Sequence, residues 1–191
     1  MTLMNKSAHP HKHPDQRVGV FIDVQNMYYS GKNLYNAKVN FGAIVKNSIA
    51  NRKLIRAFAY VISTEGREEQ PFFDALYNLG IETREKQLQI FYGGEKKGDW
   101  DVGVTVDAIR LAPMVDTIII VSGDGDYVPL VEYLKNQGKR VEIVAFGGTT
   151  SSKLIDSADD FMDLSLEKGA YLIPQYTRRA PSRSTNQVIK K

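Results

Sequence analysis

The sequence predicts an α/β domain built on a mostly parallel β-sheet with helices on both faces. Three observations carry this reading. Apolar, β-branched runs alternate with segments of helical period along the chain. The strongest strand-like run, VDTIIIVSG at 115–123, has the near-continuous apolar character of a strand covered on both sides. No internal repeat or interdomain linker interrupts 191 residues that are 42% apolar and 25% charged, ordinary values for one domain with its own core.

The elements follow in order. Residues 17–23, RVGVFID, form a β-branched and aromatic run that ends on an acid, the mark of a buried strand. VQNMYYSGKNLY starts a helix after Asp23, and FGAIVKNSIANR places Phe41, Ile44, Val45 and Ile49 at helical spacing. KLIRAFAYVIS, 53–63, is a second strand. EEQPFFDALYNL, 68–79, repeats Phe72, Leu76 and Leu79 at i, i+4 and i+7, with Pro71 in the opening turn and Gly80 as the stop. IETREKQ and LQIFYGG read as a short strand and its hairpin partner, and GGEKKG as a loop. From Asp99, DWDVGVTVDAIRLA sets Val102, Val106 and Ile109 on one narrow stripe, which predicts a helix. After the strand at 115–123, DYVPLVEYLKNQG is its partner helix, ending at Gly138 with Pro129 near the start, where it is tolerated. KRVEIVAFG is another buried strand, SSKLIDSADDF a short helix, and FMDLS a final strand.

Composition narrows the chemistry. There is no cysteine, which excludes disulfides, thiolate zinc sites, iron–sulfur clusters and cysteine nucleophiles. His9, His11 and His13 all precede the first strand, so the folded part has no histidine for a Ser-His-Asp triad or a His-rich zinc site. Residues 1–16 are expected to be a disordered tail, 17–173 the domain, and 174–191 a basic tail. The net charge is +3, yet the tails carry about +6 and the stretch between them about −3. Arg178, Arg179, Arg183, Lys190 and Lys191 make the last segment available for loose contact with polyanions. No run approaches the roughly 18 apolar residues of a membrane span, so no membrane partner is expected and the cytoplasm is the default location.

Two apolar strands run straight into carboxylates, FID at Asp23 and IIIVSGDGDY at Asp124 and Asp126. Acids at such positions lose solvation unless a positive group compensates. Without histidine or cysteine, the compensator is a cation or a nearby Lys or Arg, and oxygen-only ligands select Mg²⁺ or Mn²⁺. Asp99 and Asp101 sit at the start of the predicted helix before the main strand, where one of them can serve as its N-cap. Helical geometry sets Asp101 beside Thr105, while Asp107 lies roughly 120° away around the helix. Open parallel sheets bind ligands at the carboxyl ends of strands, which is where Asp23 and Ser122-Gly123-Asp124 fall. The two glycines of SGDGD give that turn backbone freedom.

RVGVFIDVQNMYYSG, KKGDWDVGVTVDAIRL and VDTIIIVSGDGDYVPLVEYLKNQGKRVEIVAF resemble, in order and spacing, the LabA-like branch of the NYN-domain proteins of the PIN-like nuclease superfamily. The resemblance spans about residues 17–165. It implies a three-layer PIN-like, Rossmann-like fold and an acidic pocket holding Mg²⁺ or Mn²⁺ for phosphodiester cleavage, generally of RNA. Carried over by motif, Asp23 is the first-strand acid with Asn26 its polar neighbour. Asp101 is the acid of the K-G-x-x-D block, and Asp124 and Asp126 are those of the SGDGD block. Trp100 is unusual in its block and sets a bulky ring beside the expected pocket.

On this reading Asp23, Asp101 and Asp124 are metal ligands, with Asp126 completing the catalytic acids by binding a second ion or orienting water. Asn26, Lys97 and Ser122 are expected to bind substrate, and Lys96 and Lys153 to supply positive rim charge. Tyr28, Tyr29 and Trp100 offer rings for stacking, although core packing is the expectation for Tyr28 and Tyr29. The alternative is a non-catalytic or weakly catalytic protein that regulates or binds nucleic acid through the same fold. A response-regulator-like phosphoacceptor would need a lysine after a late strand, and KRVEIVAFGG has none at its carboxyl end. The partner is expected to be RNA, with DNA as the other candidate and a homo-oligomer compatible with the chain.

Overall fold

The computed structural model describes residues 12–63, 70–90, 96–97 and 99–174. β1 (Arg17–Asp23) runs into α1 (Val24–Tyr35), whose N-cap is Asp23. β2 (Ala37–Val39) leads to α2 (Phe41–Ile49), capped by the Asn40 side chain. β3 (Lys53–Ser63) is followed by α3 (Gln70–Asn78) and β4 (Glu82–Gln87). Gly80, at φ +72°, ends α3 in a left-handed turn that a side chain would strain. β5 (Gln89–Ile90) and β6 (Lys96–Lys97) pair antiparallel with each other. Then come α4 (Asp101–Leu111), β7 (Thr117–Val121), α5 (Val128–Asn136), β8 (Arg140–Ala145) and α6 (Ser152–Ser157). β9 (Asp160–Asp163), α7 (Lys168–Tyr171) and β10 (Leu172–Pro174) follow, and β10 pairs antiparallel with β2.

The main sheet has the order β4-β3-β1-β7-β8-β9, with every neighbouring pair parallel. Met27 of α1, Ile44 of α2, Leu76 of α3 and Tyr171 of α7 cover one face, against Val20, Ile22, Val121 and Val144. Val104 and Leu111 of α4, Leu130 and Leu134 of α5, and Leu154 of α6 cover the other, against Phe21, Ile118, Ile120 and Ile143. β1 and β7 are therefore buried on both sides, which is why their sequences are unbroken apolar runs. The chain winds outward from β1 through β3 and β4, then returns to the far side of β1 with β7, β8 and β9. The helices that follow β1 and β7 pack on opposite faces, so a crevice opens between the carboxyl ends of these two neighbours.

Several expectations need correction. The stripe that marks α4 as helical is not its buried face: Val102 is 73% exposed, and Val104, Ala108 and Leu111 pack inward instead. Both triplets share the same i, i+4, i+7 spacing, so periodicity alone could not choose between them. Among the described residues, 81–87 and 88–90 do not pair as the expected hairpin; residues 91–94 lie outside the described part. β4 joins the sheet edge parallel to β3, and β5 pairs with β6, which falls in the segment read as a loop. β2, α7 and β10 are too short to carry a periodic signal.

At the opposite, amino end of the strands, Glu142 of β8 is buried among cations. It accepts from Arg52 at 2.9 and 2.8 Å and from Arg140 at 2.9 Å, and pairs with Lys12 at 3.4 Å. Arg52 also donates to the last carbonyls of α2, at Ile49 and Ser48. Lys12 pairs in addition with Asp160, and the Gln16 carbonyl accepts from the Lys53 N–H. The body of the fold is thus engaged from Lys12 on, ahead of residue 17.

Candidate functional site

A cavity of about 350 Å³ opens at the carboxyl ends of β1 and β7. Asp23, Asp99, Trp100, Asp101, Asp124 and Thr149 line it together with residues of α1. Asp23 is placed by being the last residue of β1 and the cap of α1 at once. One carboxylate oxygen accepts from the Asn26 N–H at 3.0 Å, and the other faces the Ser122 hydroxyl at 3.5 Å and the Tyr127 hydroxyl at 3.3 Å. Burial pushes Asp23 up to about 6, and the charges of Asp101 and Asp124 push the same way, against the pull of the Asn26 N–H and Tyr127.

The SGDGDY turn places Asp124. Ser122 is fully buried and its hydroxyl accepts from the Asp124 N–H at 3.2 Å. Asp124 accepts from the Asp126 N–H at 3.0 Å and so caps the 3-10 turn Gly125–Tyr127. Asn26 accepts from the Gly123 N–H at 3.0 Å, tying α1 to this turn. Gly123 is required by crowding and not by backbone freedom: its φ is not left-handed, and a Cβ would stand 3.0 Å from Cα of Thr150. Asp126, expected among the catalytic acids, is exposed and does not line the cavity.

Asp101 is the first residue of α4, and neither it nor Asp99 caps that helix; Trp100 holds the cap position without a side-chain bond. The Trp100 ring is seated against Gly103, packs tilted against Tyr60 at 5.3 Å, and donates its Nε1–H to the Val61 carbonyl at 2.9 Å. That anchoring aims Asp101 into the cavity, where burial raises its pKa and Asp124, Asp99 and Asp126 add to the rise against a bond from Tyr127.

Tyr127 is the residue that sequence reasoning missed. It is 0% exposed, and its hydroxyl lies between Asp23 and Asp101. Burial, then the charges of those two acids, push its pKa up, so it remains a proton donor. The signal was a tyrosine directly after two turn acids, since a buried phenol needs an acceptor. A second missed residue is Lys86, which donates to the Asp99 carbonyl at 3.2 Å and sits 5.6 Å over the Trp100 ring.

Among the described residues, no Lys or Arg lines the cavity. Elsewhere acids are matched with cations: Asp116 with Arg17, Glu82 with Arg56, Asp107 with Arg84, Glu142 with Arg52. Asp107, which also accepts from the Tyr60 hydroxyl, is thereby accounted for outside the cavity. Lys153 is exposed on α6 and does not line it, and the side chains of Lys96 and Lys97 lie outside the described part. Tyr28 and Tyr29, expected in the core, are 44% and 50% exposed.

Asp23, Asp101 and Asp124 present only hard oxygen donors to a common space, the donor set that suits Mg²⁺ or Mn²⁺. Among the described residues no group of three or more acids lies close enough together to hold a metal ion as the side chains stand. An open arrangement leaves positions for water and substrate oxygens, which Mg²⁺ retains in most sites.

The family model of the NYN domain matches residues 17–166. The chain is 27% identical over 158 residues to the low amplitude and bright protein LabA of Synechococcus elongatus, covering 78% of this chain and 84% of that protein. It is 28% identical over 157 residues to an uncharacterized protein of Methanocaldococcus jannaschii, covering 76% of this chain and 54% of that one. A crystal structure of a protein of unknown function from Vibrio parahaemolyticus aligns with a TM-score of 0.76 at 33% identity, over 84% of this chain and 98% of that one. The matched region contains the whole six-stranded sheet and every acid of the cavity, and the chain belongs to the NYN domain family, on its LabA-like branch within the PIN-like nuclease superfamily.

Proposed function

We propose that this protein is a divalent-metal-dependent nuclease that hydrolyses phosphodiester bonds, with RNA as its main substrate and DNA as the alternative. One observation carries the reading: four carboxylates, those of Asp23, Asp99, Asp101 and Asp124, share a cavity that no described Lys or Arg lines. Gathering acids this way opposes folding unless a cation joins them. Asp23, Asp101 and Asp124 would hold Mg²⁺ or Mn²⁺. Such an ion, when bound, polarises a phosphate oxygen and makes water a stronger nucleophile at neutral pH.

The protein's own groups prepare the site. Tyr127 donates toward Asp23 and Asp101 and fixes the carboxylate faces left open to the cavity. Asn26 and Ser122, read from sequence as substrate contacts, act instead as positioning residues: they lock the spacing between Asp23 and Asp124 through the Gly123 and Asp124 N–H groups. Asp126 stands on the solvent side, where it orients water or a second ion. Lys86, which donates to the carbonyl of the cavity residue Asp99, supplies positive charge for substrate phosphates. The protein acts in the cytoplasm. Incubation of labelled single-stranded RNA and DNA with Mn²⁺, Mg²⁺ or EDTA tests the proposal: cleavage with metal and none with EDTA is expected, and metal-independent cleavage removes it.

A second reading, a regulatory protein that binds nucleic acid without cutting it, is favoured by the absence, among the described residues, of three acids already placed to hold a metal ion. Binding of RNA without cleavage under every metal condition would select it.

A further inference from the structure

The polar side chains of the cavity are not equally engaged. Asp23, Asn26, Ser30, Asp124 and Thr149 are bonded within the protein; Asn26 accepts from Gly123, and Thr149 donates to Ser30 at 2.9 Å. Gln25, Tyr29 and Asn33 also line the cavity, spaced i, i+4 and i+8 along α1, and their side chains make no hydrogen bond to another described residue. They are neutral, they line the same cavity as the acids, and Tyr29 is half exposed. Its ring meets Tyr28 edge-on at 5.4 Å, and Lys32 lies 5.6 Å over the Tyr28 ring. Trp100 is no equivalent platform: its Nε1–H is committed to Val61, and its ring is held by Tyr60, Lys86 and Gly103.

An acidic cavity repels the phosphates it is proposed to cut, so affinity must come from another part of the substrate. An aromatic face flanked by two free amides suits an unpaired nucleobase: the ring takes the π-face, and the amides take donors and acceptors at the base edge. A paired base offers neither its face nor its pairing edge. We infer that Gln25, Tyr29 and Asn33 form a subsite for an unpaired base next to the acids, which makes single-stranded nucleic acid the substrate class. The inference rests on the reading of the cavity as a phosphodiester site, but it is tested by binding as well as by cleavage.

The test uses the full chain and fluorescent oligonucleotides of equal length: single-stranded RNA, the same strand with abasic positions, and its duplex. Tyr29→Ala should weaken single-strand binding about tenfold to a hundredfold, and Tyr29→Phe should bind within about threefold of the parent. Gln25→Ala and Asn33→Ala should lose less, and differently with different bases. The abasic strand should bind all variants with equal weakness. In cleavage, Tyr29→Ala should raise KM and leave kcat within a few fold. Unchanged melting of each variant shows that the fold is intact. If the parent cleaves RNA while Tyr29→Ala binds and cleaves like the parent, or if duplex and abasic strands bind as well as the base-bearing strand, the subsite is wrong and the nuclease reading stands. If nothing is cleaved but single-strand binding still depends on Tyr29, the subsite stands and hydrolysis falls. If the parent binds no single strand at all, both fall.

Discussion

Replacing Asp23 by Asn should stabilise the metal-free protein while abolishing its chemistry. The Asp23 carboxyl moves from its ordinary 3.8 to about 6 on folding, chiefly because it is buried. A carboxylate raised in this way favours the folded state only when protonated, so ionising it at neutral pH opposes folding. At about 1.4 kcal/mol per pH unit of separation, the cost at pH 7.5 is about 3 kcal/mol. It shrinks to about half that at pH 5, between the two values, and to near zero below pH 4. Asn keeps the acceptor for the Asn26 N–H, and its amide can donate to the Ser122 and Tyr127 hydroxyls, so little is lost in exchange. For a domain of this size the gain corresponds to a rise in Tm of about 5–10 °C at pH 7.5. Thermal melts in EDTA at pH 7.5, 5 and 4 measure it directly. If Asp23→Asn melts at or below the parent at pH 7.5, or if its gain does not shrink toward pH 4, the account of the cavity as an uncompensated acidic cluster is refuted. Added Mn²⁺ should then raise the Tm of the parent more than that of the variant.

Other perturbations reach the remaining parts of the argument. Asp124→Asn should lower metal-dependent cleavage of single-stranded RNA by orders of magnitude, and cleavage at the parental rate would place the activity elsewhere. Arg52→Met leaves the buried Glu142 without its bidentate partner and should cost about 3–5 kcal/mol in denaturant unfolding; a loss below about 1 kcal/mol would contradict the role given to this pair. Gly123→Ala drives a Cβ against the Thr150 backbone and should cost about 1–3 kcal/mol, with loss of cleavage as the Asp124 turn shifts. Burial raises the Glu142 pKa, but bonds from Arg52 and Arg140 outweigh it and hold the group below its usual range. Its stabilisation is present above the unfolded value of 4.5 and is lost as pH falls through the lower folded value. Combined with Asp23, this predicts that the parent in EDTA gains Tm from pH 7.5 to about 5 and loses it under more acid conditions; a monotonic fall as pH drops from 7.5 would contradict the sign given to Asp23, and a monotonic rise the sign given to Glu142.

The sequence was most legible where physics acts over several consecutive residues. β1 and β3 were bounded to the residue because a strand covered on both faces needs a long apolar run, interrupted in β3 by Arg56, and α3 stopped where Gly80 alone tolerates φ +72°. The acids Asp23, Asp101 and Asp124 were recognisable because each follows or opens such an element. What stayed hidden depends on partners distant in sequence. Nothing local distinguishes Val102 from Val104 as the inward side of α4, or tells Asn26 to bind the Gly123 N–H 97 residues away. Tyr28 and Tyr29 read as core because aromatic pairs usually are, and only the position of α1 against the cavity shows otherwise.

The strands divide the charge of the molecule between their two ends. At the amino end, Glu142 is surrounded by Arg52, Arg140 and Lys12, so its burial is matched by opposite charge and hydrogen bonds from the chain itself. At the carboxyl end, Asp23 receives an N–H and hydroxyl groups but no cation from the described residues, and its pKa rises where that of Glu142 falls. Both acids sit on central or near-central strands of one sheet, so burial alone does not explain the opposite signs. The difference is in what the fold brings to each. Evolution toward stability alone would have supplied an arginine at the carboxyl end too, or removed the acid, as Asp23→Asn would do. Four carboxylates around one cavity without such a partner is the arrangement the proposed metal-dependent reading requires, because there the missing positive charge would come from solution.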